Sequence, residues 1–514
     1  MTALSPALAT PTGEAPDLVI RDARVVDLTT GRAAAPTDLH IVQRRLSRRP
    51  GREPAEEVDA EGRFVIPGLW DSHVHMSQWA MCSRWVPVHR AESAAEAASL
   101  VREHLDRTVR PSRTAAGGGD TLVGFGFRDS RWPDAPSLEV LDEATGQVPT
   151  VLLSGDLHSA WANSAAMARH GVDSSTGHLV EDEAFALTRA LNQLPTAALD
   201  RRINEAAKDA AARGVVGIVD MEMRWTVEEW RRRFAEGFHT LCVRPAIYPQ
   251  WLEQAIDEGL HTGDLLDPSG LLTVGPMKVV SDGSLTARTA YCCEPYLTSE
   301  LGTVDPDRER GVVNIEPGDL AHLMARAWAN GIESAIHAIG DQAASYVLDA
   351  FAATGARGSI EHAQLVRPAD ITRMAELGVR ASVQPAHLLD DRDAMDDLWG
   401  DRCGDAFPLA AMAAAGVALT LGSDAPVSPL DPWLAIQAAV TRTGDERAGW
   451  HAEQSLTLSQ ALLSSTRGVA SLVPGAEADL LLLDENPFAL PANQVGATRP
   501  SLTMLDGRIT HTTL

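Results

Sequence analysis

Two histidines one residue apart, His73 and His75, close the run "VIPGLWDSHVH" at residues 65–75. In an extended strand, side chains two apart share a face, so both imidazoles can reach one ion from a single strand end. Other side chains with chemical potential follow at the ends of later apolar runs. They are Lys278 in "GPMKVVSDGS", His337 in "IESAIHAIGD", His362 in "GSIEHAQ" and Asp424 in "VALTLGSDAP". Each has a plainer reading when taken singly. A histidine after a β-run is often a hydrogen-bonded structural residue, an aspartate in "GSDAP" suits a turn, and a lysine among apolar residues can snorkel to the surface. Taken together, four imidazoles and a carboxylate form the donor set of a transition-metal site. Nitrogen and oxygen donors without thiolate suit Zn²⁺, with Mn²⁺, Co²⁺ or Fe²⁺ also accommodated. An ammonium cannot bind a cation, but a buried lysine with a depressed pKa is a nucleophile. Capture of carbon dioxide would turn Lys278 into a carbamate whose two oxygens can bridge two ions. Two versions stay open: a two-metal site bridged by carbamylated Lys278 and a hydroxide, and a one-metal site with the lysine unmodified.

These residues need elements that bring them together. Eight apolar, strand-like runs alternate with Ala-rich helical stretches: the run ending at His73, then "GVVGIVDM", "VRPAIYP", "GPMKVVSDGS", "IESAIHAIGD", "GSIEHAQ", "VRASVQPAH" and "VALTLGSDAP". That alternation predicts an α/β fold with parallel strands. Eight of them over this length predict a (β/α)8 TIM-like barrel, in which the C-terminal strand ends converge on one mouth. An open doubly wound sheet is the alternative, but the chain has no Gly-rich dinucleotide fingerprint. The barrel is expected over residues 67–467, with residues 76–213 as a long insertion above the mouth. Residues 17–66 and 468–514 are short β-like runs broken by turns, and predict one small composite β-sandwich built from both termini. Residues 1–16 read as a loose tail. A capping box, Thr457 with Gln460, opens a helix over "TLSQALLSSTRGVASL".

The bulk numbers narrow the partners. The 514 residues are 45% hydrophobic and 22% charged, with a formal charge of −26. That balance argues against nucleic acid or an anionic membrane as partner. No stretch is long and apolar enough to span a bilayer. The opening residues lack a basic n-region, so no secretion signal is expected. The five cysteines (Cys82, Cys242, Cys292, Cys293 and Cys403) contain no C-x-x-C spacing. They suit reduced thiols in a cytoplasmic protein rather than a disulfide framework or a thiolate zinc site. A homo-oligomer is a base-rate expectation for an enzyme of this kind.

Several further motifs accompany these: "DLHSAWANSAAM" (156–167), "KVVSDGSLTARTA" (278–290), "HAIGD" (337–341), "IEHAQLV" (360–366), "SVQPAH" (382–387), "GSDAPVSPLDPW" (422–433) and "PGAEADLLLLDENP" (474–487). On this combination the chain resembles the amidohydrolase superfamily, in the branch of YtcJ-like proteins and N-substituted formamide deformylases (amidohydrolase family 3). The resemblance implies a metal-dependent barrel with a composite β-sandwich. It implies metal binding by His73, His75, His337, His362 and Asp424, with Asp424 also serving as general base and then acid, and with Lys278 as a bridging ligand. The implied activity is hydrolysis of an amide-type C–N bond by metal-activated hydroxide, the deacylation of a small N-acyl or N-formyl amine. His158, in the insertion, is a candidate donor to the developing oxyanion, with a structural role as the alternative. His387 and Asp341 are candidates to orient ligand histidines. Trp79, Trp132 and Trp161 could wall an apolar pocket, or simply pack in a core. Two rival functions are carried. A deaminase of a heterocyclic amine on the same barrel usually wants a Glu three residues after a strand-end histidine, whereas the carboxylate after His337 is Asp341. A non-catalytic barrel scaffold typically loses ligands, and this chain keeps them.

Overall fold

The computed structural model describes residues 17–50, 56–82, 85–108, 121–127, 129, 132–154, 159–180, 182–192, 195–297 and 309–514. The N-terminal tail and His158 lie outside the described residues. The chain divides into two compact units, one made of residues up to Gln78 together with Asn204–Leu514, the other of Trp79–Ile203.

All eight runs expected as strands are strands of the larger unit. They are β1 (Leu69–Val74), β2 (Val215–Asp220), β3 (Cys242–Pro245), β4 (Met277–Val280), β5 (Ser334–Ala338), β6 (Gly358–His362), β7 (Arg380–Val383) and β8 (Leu419–Leu421). β1, β2 and β3 form one parallel sheet, and β4 to β8 form another in sequential order. Two parallel bridges reach beyond these sheets: Ile247 to Met277, which joins the end of β3 to β4, and Val74 to Ala425, which joins β1 to the turn after β8. The strands are short and apolar because both faces are covered. Val215, Ile218, Val243, Met277, Ile336, Ile360 and Val383 have essentially no solvent contact, as parallel strands flanked by helices require.

The helices between the strands show the complementary pattern. Asp341–Thr354, after β5, buries Ala343, Tyr346, Val347, Ala350 and Phe351, the i, i+3, i+4 stripe of a helix lying on a sheet. It ends at Gly355, which takes the left-handed conformation that a C-terminal cap favours. Pro368 opens the helix Pro368–Leu377 after β6, where its missing N–H costs nothing. The Thr457–Gln460 capping box is present, but its helix stops at Ser465 rather than running on through "TRGVASL".

Strands from both ends of the chain share one further sheet. Its order is Arg508–Thr512, Leu502–Leu505, Leu480–Leu483, Phe64–Pro67, Leu18–Val25, Thr37–Val42, Arg45–Ser47, with Glu56–Asp59 also paired to Leu18–Val25. Leu18, Ile20, Val65, Leu480, Leu482, Leu502 and Met504 form its own apolar core. The structure places the change between the two sets here: Phe64–Pro67 pairs with Leu480–Leu483 in the terminal sheet, and β1 begins at Leu69 in the parallel set, beside the expected division between residues 66 and 67.

The smaller unit holds a five-stranded sheet in the order His178–Val180, Ser159–Ala162, Thr150–Ser154, Leu122–Phe127, Val86–Pro87. Its pairing is parallel on one side and antiparallel on the other. Trp161 has no solvent exposure and packs with Phe127, Leu141 and Leu152, with Trp132 against the same cluster. Packing, rather than pocket lining, accounts for these two tryptophans.

Candidate metal centre

His73 lies inside β1 and His75 just beyond it. The ends of β1 and β8 are laced together here. Asp424 N donates to His73 O at 2.7 Å, and His75 N donates to Ala425 O at 2.9 Å. The buried Asp71 carboxylate accepts from His73 N and from Ser423 N, each at 3.0 Å. Backbone bonds therefore place Asp424 beside the histidine pair without help from any ion.

His73 is 1% exposed, and its Nδ1 lies 2.7 Å from Glu361 Oε2. Ser359 Oγ donates to the other oxygen, Glu361 Oε1, at 2.5 Å. An ionised carboxylate only accepts, so Nδ1 carries the proton and Nε2 presents its lone pair. That Nε2 is buried without a hydrogen-bond partner and lies 3.5 Å from Asp424 Oδ1. His75 Nε2 is 3.3 Å from the same oxygen.

His362 closes the group. Its ring centroid is 5.0 Å from that of His73 and 4.5 Å from that of His337. One nitrogen from each of His73 and His362 and one oxygen of Asp424 all lie within 4.8 Å of one another, and all three residues are buried. His362 has φ 70° and Asp424 φ 55°. This left-handed region is uncommon for residues other than glycine, and is best tolerated by Asn, Asp and His. At His362 the turn breaks strand alternation, so the neighbours Glu361 and His362 both face His73.

The electrostatics fit a cation. Burial pushes the His73 imidazole down to about 4 and that of His362 well below its ordinary value. Both are therefore neutral at pH 7, the form in which imidazole binds metal. Burial raises the Asp424 carboxyl, yet His73, His75, His362 and His387 together hold it well below the usual carboxylate range. Lys278 is 2% exposed and its Nζ has no hydrogen-bond partner. It is not a snorkelling surface lysine. Burial lowers its pKa against the pull of Glu361 and Asp424.

The other expected residues fall less uniformly. His337 contacts His362, but its Nε2 lies 3.1 Å from Gly283 O and 3.3 Å from Asp282 Oδ1. Asp341 does not orient a histidine: its Oδ1 accepts from Cys293 N at 2.9 Å. The carboxylate beside His337 is Asp282, which also accepts from Ile339 N and Gly340 N. His387 sits nearer the centre than an orienting role requires, with a buried, unpartnered Nε2 3.9 Å from Asp424 Oδ2. Sequence reasoning missed Glu361, Asp282, Asp220 and Glu222. Asp220 accepts from Met76 N and Trp230 Nε1, and Glu222 accepts from Gln78 N and Nε2. Burial, then the neighbouring Glu222, pushes Asp220 up to about 6. The available signal was acidic residues closing an apolar run, as in "GIVDME", and a carboxylate adjoining a histidine, as in "IEHAQ".

The buried, unpartnered nitrogens of His73 and His362, whose ligand atoms cluster with an oxygen of the ionised Asp424 carboxylate, and the unpartnered His387 Nε2 nearby are suited to an acceptor of electron pairs. Unsatisfied buried polar atoms are rare in folded proteins, and a divalent cation would satisfy most of these at once. The set fits Zn²⁺ or a similar ion.

Known proteins resemble the chain in sequence and in fold. A family model described as "Amidohydrolase family" matches residues 56–511. The chain is 24% identical over 510 residues to the putative amidohydrolase YtcJ of Bacillus subtilis (strain 168), covering 91% of this chain and 92% of that one. It is 25% identical over 516 residues to the N-substituted formamide deformylase of Arthrobacter pascens, covering 88% and 89%. In fold it is similar to the crystal structure of an uncharacterized metal-dependent hydrolase from Pyrococcus horikoshii OT3. The TM-score is 0.75 at 24% identity, over 93% of this chain and 99% of that one.

Proposed function

The chain belongs to the amidohydrolase family, and from that membership we propose that it is a metal-dependent hydrolase of an amide-type C–N bond, deacylating an N-acyl or N-formyl amine. The observation that carries the reading is the buried group His73, His362 and Asp424, whose donor atoms lie within 4.8 Å of one another. His75, His337 and Lys278 complete the proposed ligand set. The N-formyl arm of the substrate class is supported by the similarity to the Arthrobacter pascens deformylase. The reading of β1 to β8 as one closed (β/α)8 barrel is supported by the bridges at Met277 and Ala425 and by the fold likeness to the archaeal hydrolase.

A divalent ion bound at this centre would lower the pKa of a water to about 7 and polarise a carbonyl. The protein's own part is to hold and move protons. His73 and His362 stay neutral donors. Asp424, held well below the usual carboxylate range, takes a proton at a carboxylate oxygen and returns it to the leaving nitrogen. His387, 3.9 Å from Asp424 Oδ2, is placed to hydrogen-bond that carboxyl once it is protonated. Lys278, buried and without a partner, is the group that carbon dioxide would convert into a bridging carbamate. His158 as an oxyanion donor belongs to the same proposal.

The test joins metal analysis to a substrate panel. Purified protein should contain about one or two equivalents of a divalent metal and should hydrolyse N-formyl, N-acetyl or other N-acyl amines. Asp424→Asn, reloaded with metal to the wild-type level, should lose about 100- to 10,000-fold in kcat, as expected for loss of a proton-transfer group. Intact mass should show one added carbon dioxide if Lys278 is carbamylated. Metal-replete protein that hydrolyses no N-acyl amine, yet releases ammonia from a heterocyclic amine, would overturn the assignment in favour of a deaminase.

A further inference from the structure

Trp70, the second residue of β1, is half-buried between two arginines. The guanidinium carbon of Arg244, in β3, lies 5.0 Å from the Trp70 ring centroid, and that of Arg467, after the helix Leu458–Ser465, lies 4.5 Å from it. Gly217, opposite Trp70 in β2, makes the room: a Cβ there would come within 2.6 Å of the ring. The two charges are thus within about 10 Å of each other, about one Debye length in 0.1 M salt.

Stacking on an indole uses the face of a guanidinium and leaves its N–H groups pointing outward in the plane. Here those donors are unspent. Among the described residues, neither the Arg244 nor the Arg467 guanidinium has a hydrogen-bond or ion-pair partner. Arg244 Nε is also sealed from solvent. The surroundings do not neutralise the pair. Arg380, the first residue of β7, acts on both, and its Nη2 donates to Glu333 Oε2 at 2.7 Å. Glu333, the carboxylate that acts on both arginines, is thus already engaged by a third guanidinium, in a chain whose net charge is −26.

We propose that Arg244 and Arg467, on either hand of Trp70, form a binding site for a small oxyanion, a phosphate or a carboxylate, separate from the candidate metal centre. The guanidinium fork matches the oxygen spacing of both anions. Trp70 and His73 stand three residues apart on β1, about 10 Å along the strand, so the anion is not a ligand of the metal. An anion here would take up the unspent donors and relieve the repulsion between the two cations. Neither effect depends on the reaction assigned above.

The experiment is calorimetric titration of inorganic phosphate, and separately of acetate, into the full-length protein and three variants. Arg467→Gln changes an exposed side chain and spares the fold. Arg244→Lys keeps the charge and removes the fork. Asp424→Asn alters the metal centre alone. The expected result is one saturable event in wild type and in Asp424→Asn, weakened about tenfold or more in Arg467→Gln and Arg244→Lys. The anion that binds more tightly identifies the source. The proposal is overturned if neither anion binds saturably, or if binding persists in Arg467→Gln and disappears in Asp424→Asn.

Discussion

His73 owes its readiness for a metal to a residue that carries no metal itself. Glu361 accepts a hydrogen bond from His73 Nδ1–H at 2.7 Å and is in turn held by Ser359. That bond fixes both the tautomer and the ring angle, so that Nε2 faces Asp424. Glu361→Leu should therefore weaken metal binding by about 10- to 100-fold, the usual cost of losing a carboxylate behind a ligand histidine. Glu361→Gln keeps an acceptor oxygen for Nδ1 and should recover part of that loss. Metal competition titrations on the two variants check this, and equal affinities for both would show that Glu361 acts only by filling space. The candidate ligand histidines were legible because they end apolar runs, but Glu361 was not. Strand alternation assigns neighbours 361 and 362 to opposite faces, and only the left-handed turn at His362 brings both to one centre. No residue type in "SIEHA" announces that turn, since such a conformation is imposed by the surrounding packing at a cost of order 1–3 kcal/mol.

Among the elements, the join between β1 and β8 has the least tolerance. A Cβ added at Gly422 would lie 2.8 Å from His73 N and 2.9 Å from His73 Cβ, with Asp71 Oδ1 at 3.1 Å. The close approach is what allows Asp71 to accept from both strand ends at once. Gly422→Ala should push β1 away from the turn that carries Asp424. We expect a loss of about 1–3 kcal/mol in stability, the range for overpacking, together with reduced metal content in the folded fraction. Denaturation midpoints and metal analysis on the same preparation separate the two effects. The eight parallel strands were readable because burial on both faces leaves nearly continuous apolar runs. The division near Pro67 and Gly68 was readable too, because the Pro-Gly pair breaks an otherwise apolar stretch where two strands of different sheets abut. The five-stranded sheet of the smaller unit was hidden. Its strands are two to six residues long and of mixed direction, too short for a periodicity to register.

At the scale of the whole molecule, the acidic chain buries carboxylates whose burial outweighs their favourable partners, and this shapes how its stability responds to pH. Burial pushes Asp71, Asp220 and Asp479 each up to about 6, against about 4 for an unfolded aspartate. The folded state therefore holds these protons more tightly than the unfolded state does. Their favourable contribution is complete below the unfolded pKa and is lost as pH rises through about 6. Asp479 isolates the effect, because it sits in the terminal sheet region and not among the metal donors. Burial is its leading cause, and the carboxylates of Glu477 and Asp506 add to it, while the Asp506 N–H, donating to Oδ1 at 2.7 Å, opposes it. An asparagine oxygen can accept that same N–H without bearing charge. Asp479→Asn should therefore be more stable than wild type by about 1–2 kcal/mol near pH 7.5, after allowance for solvent screening. The advantage should fade towards pH 4.5 as the native aspartate takes up its proton. Thermal and urea midpoints of both proteins across that range decide the matter. A gain independent of pH would trace the stabilisation to packing, and no gain at pH 7.5 would mean that Asp479 is solvated well enough to ionise without penalty.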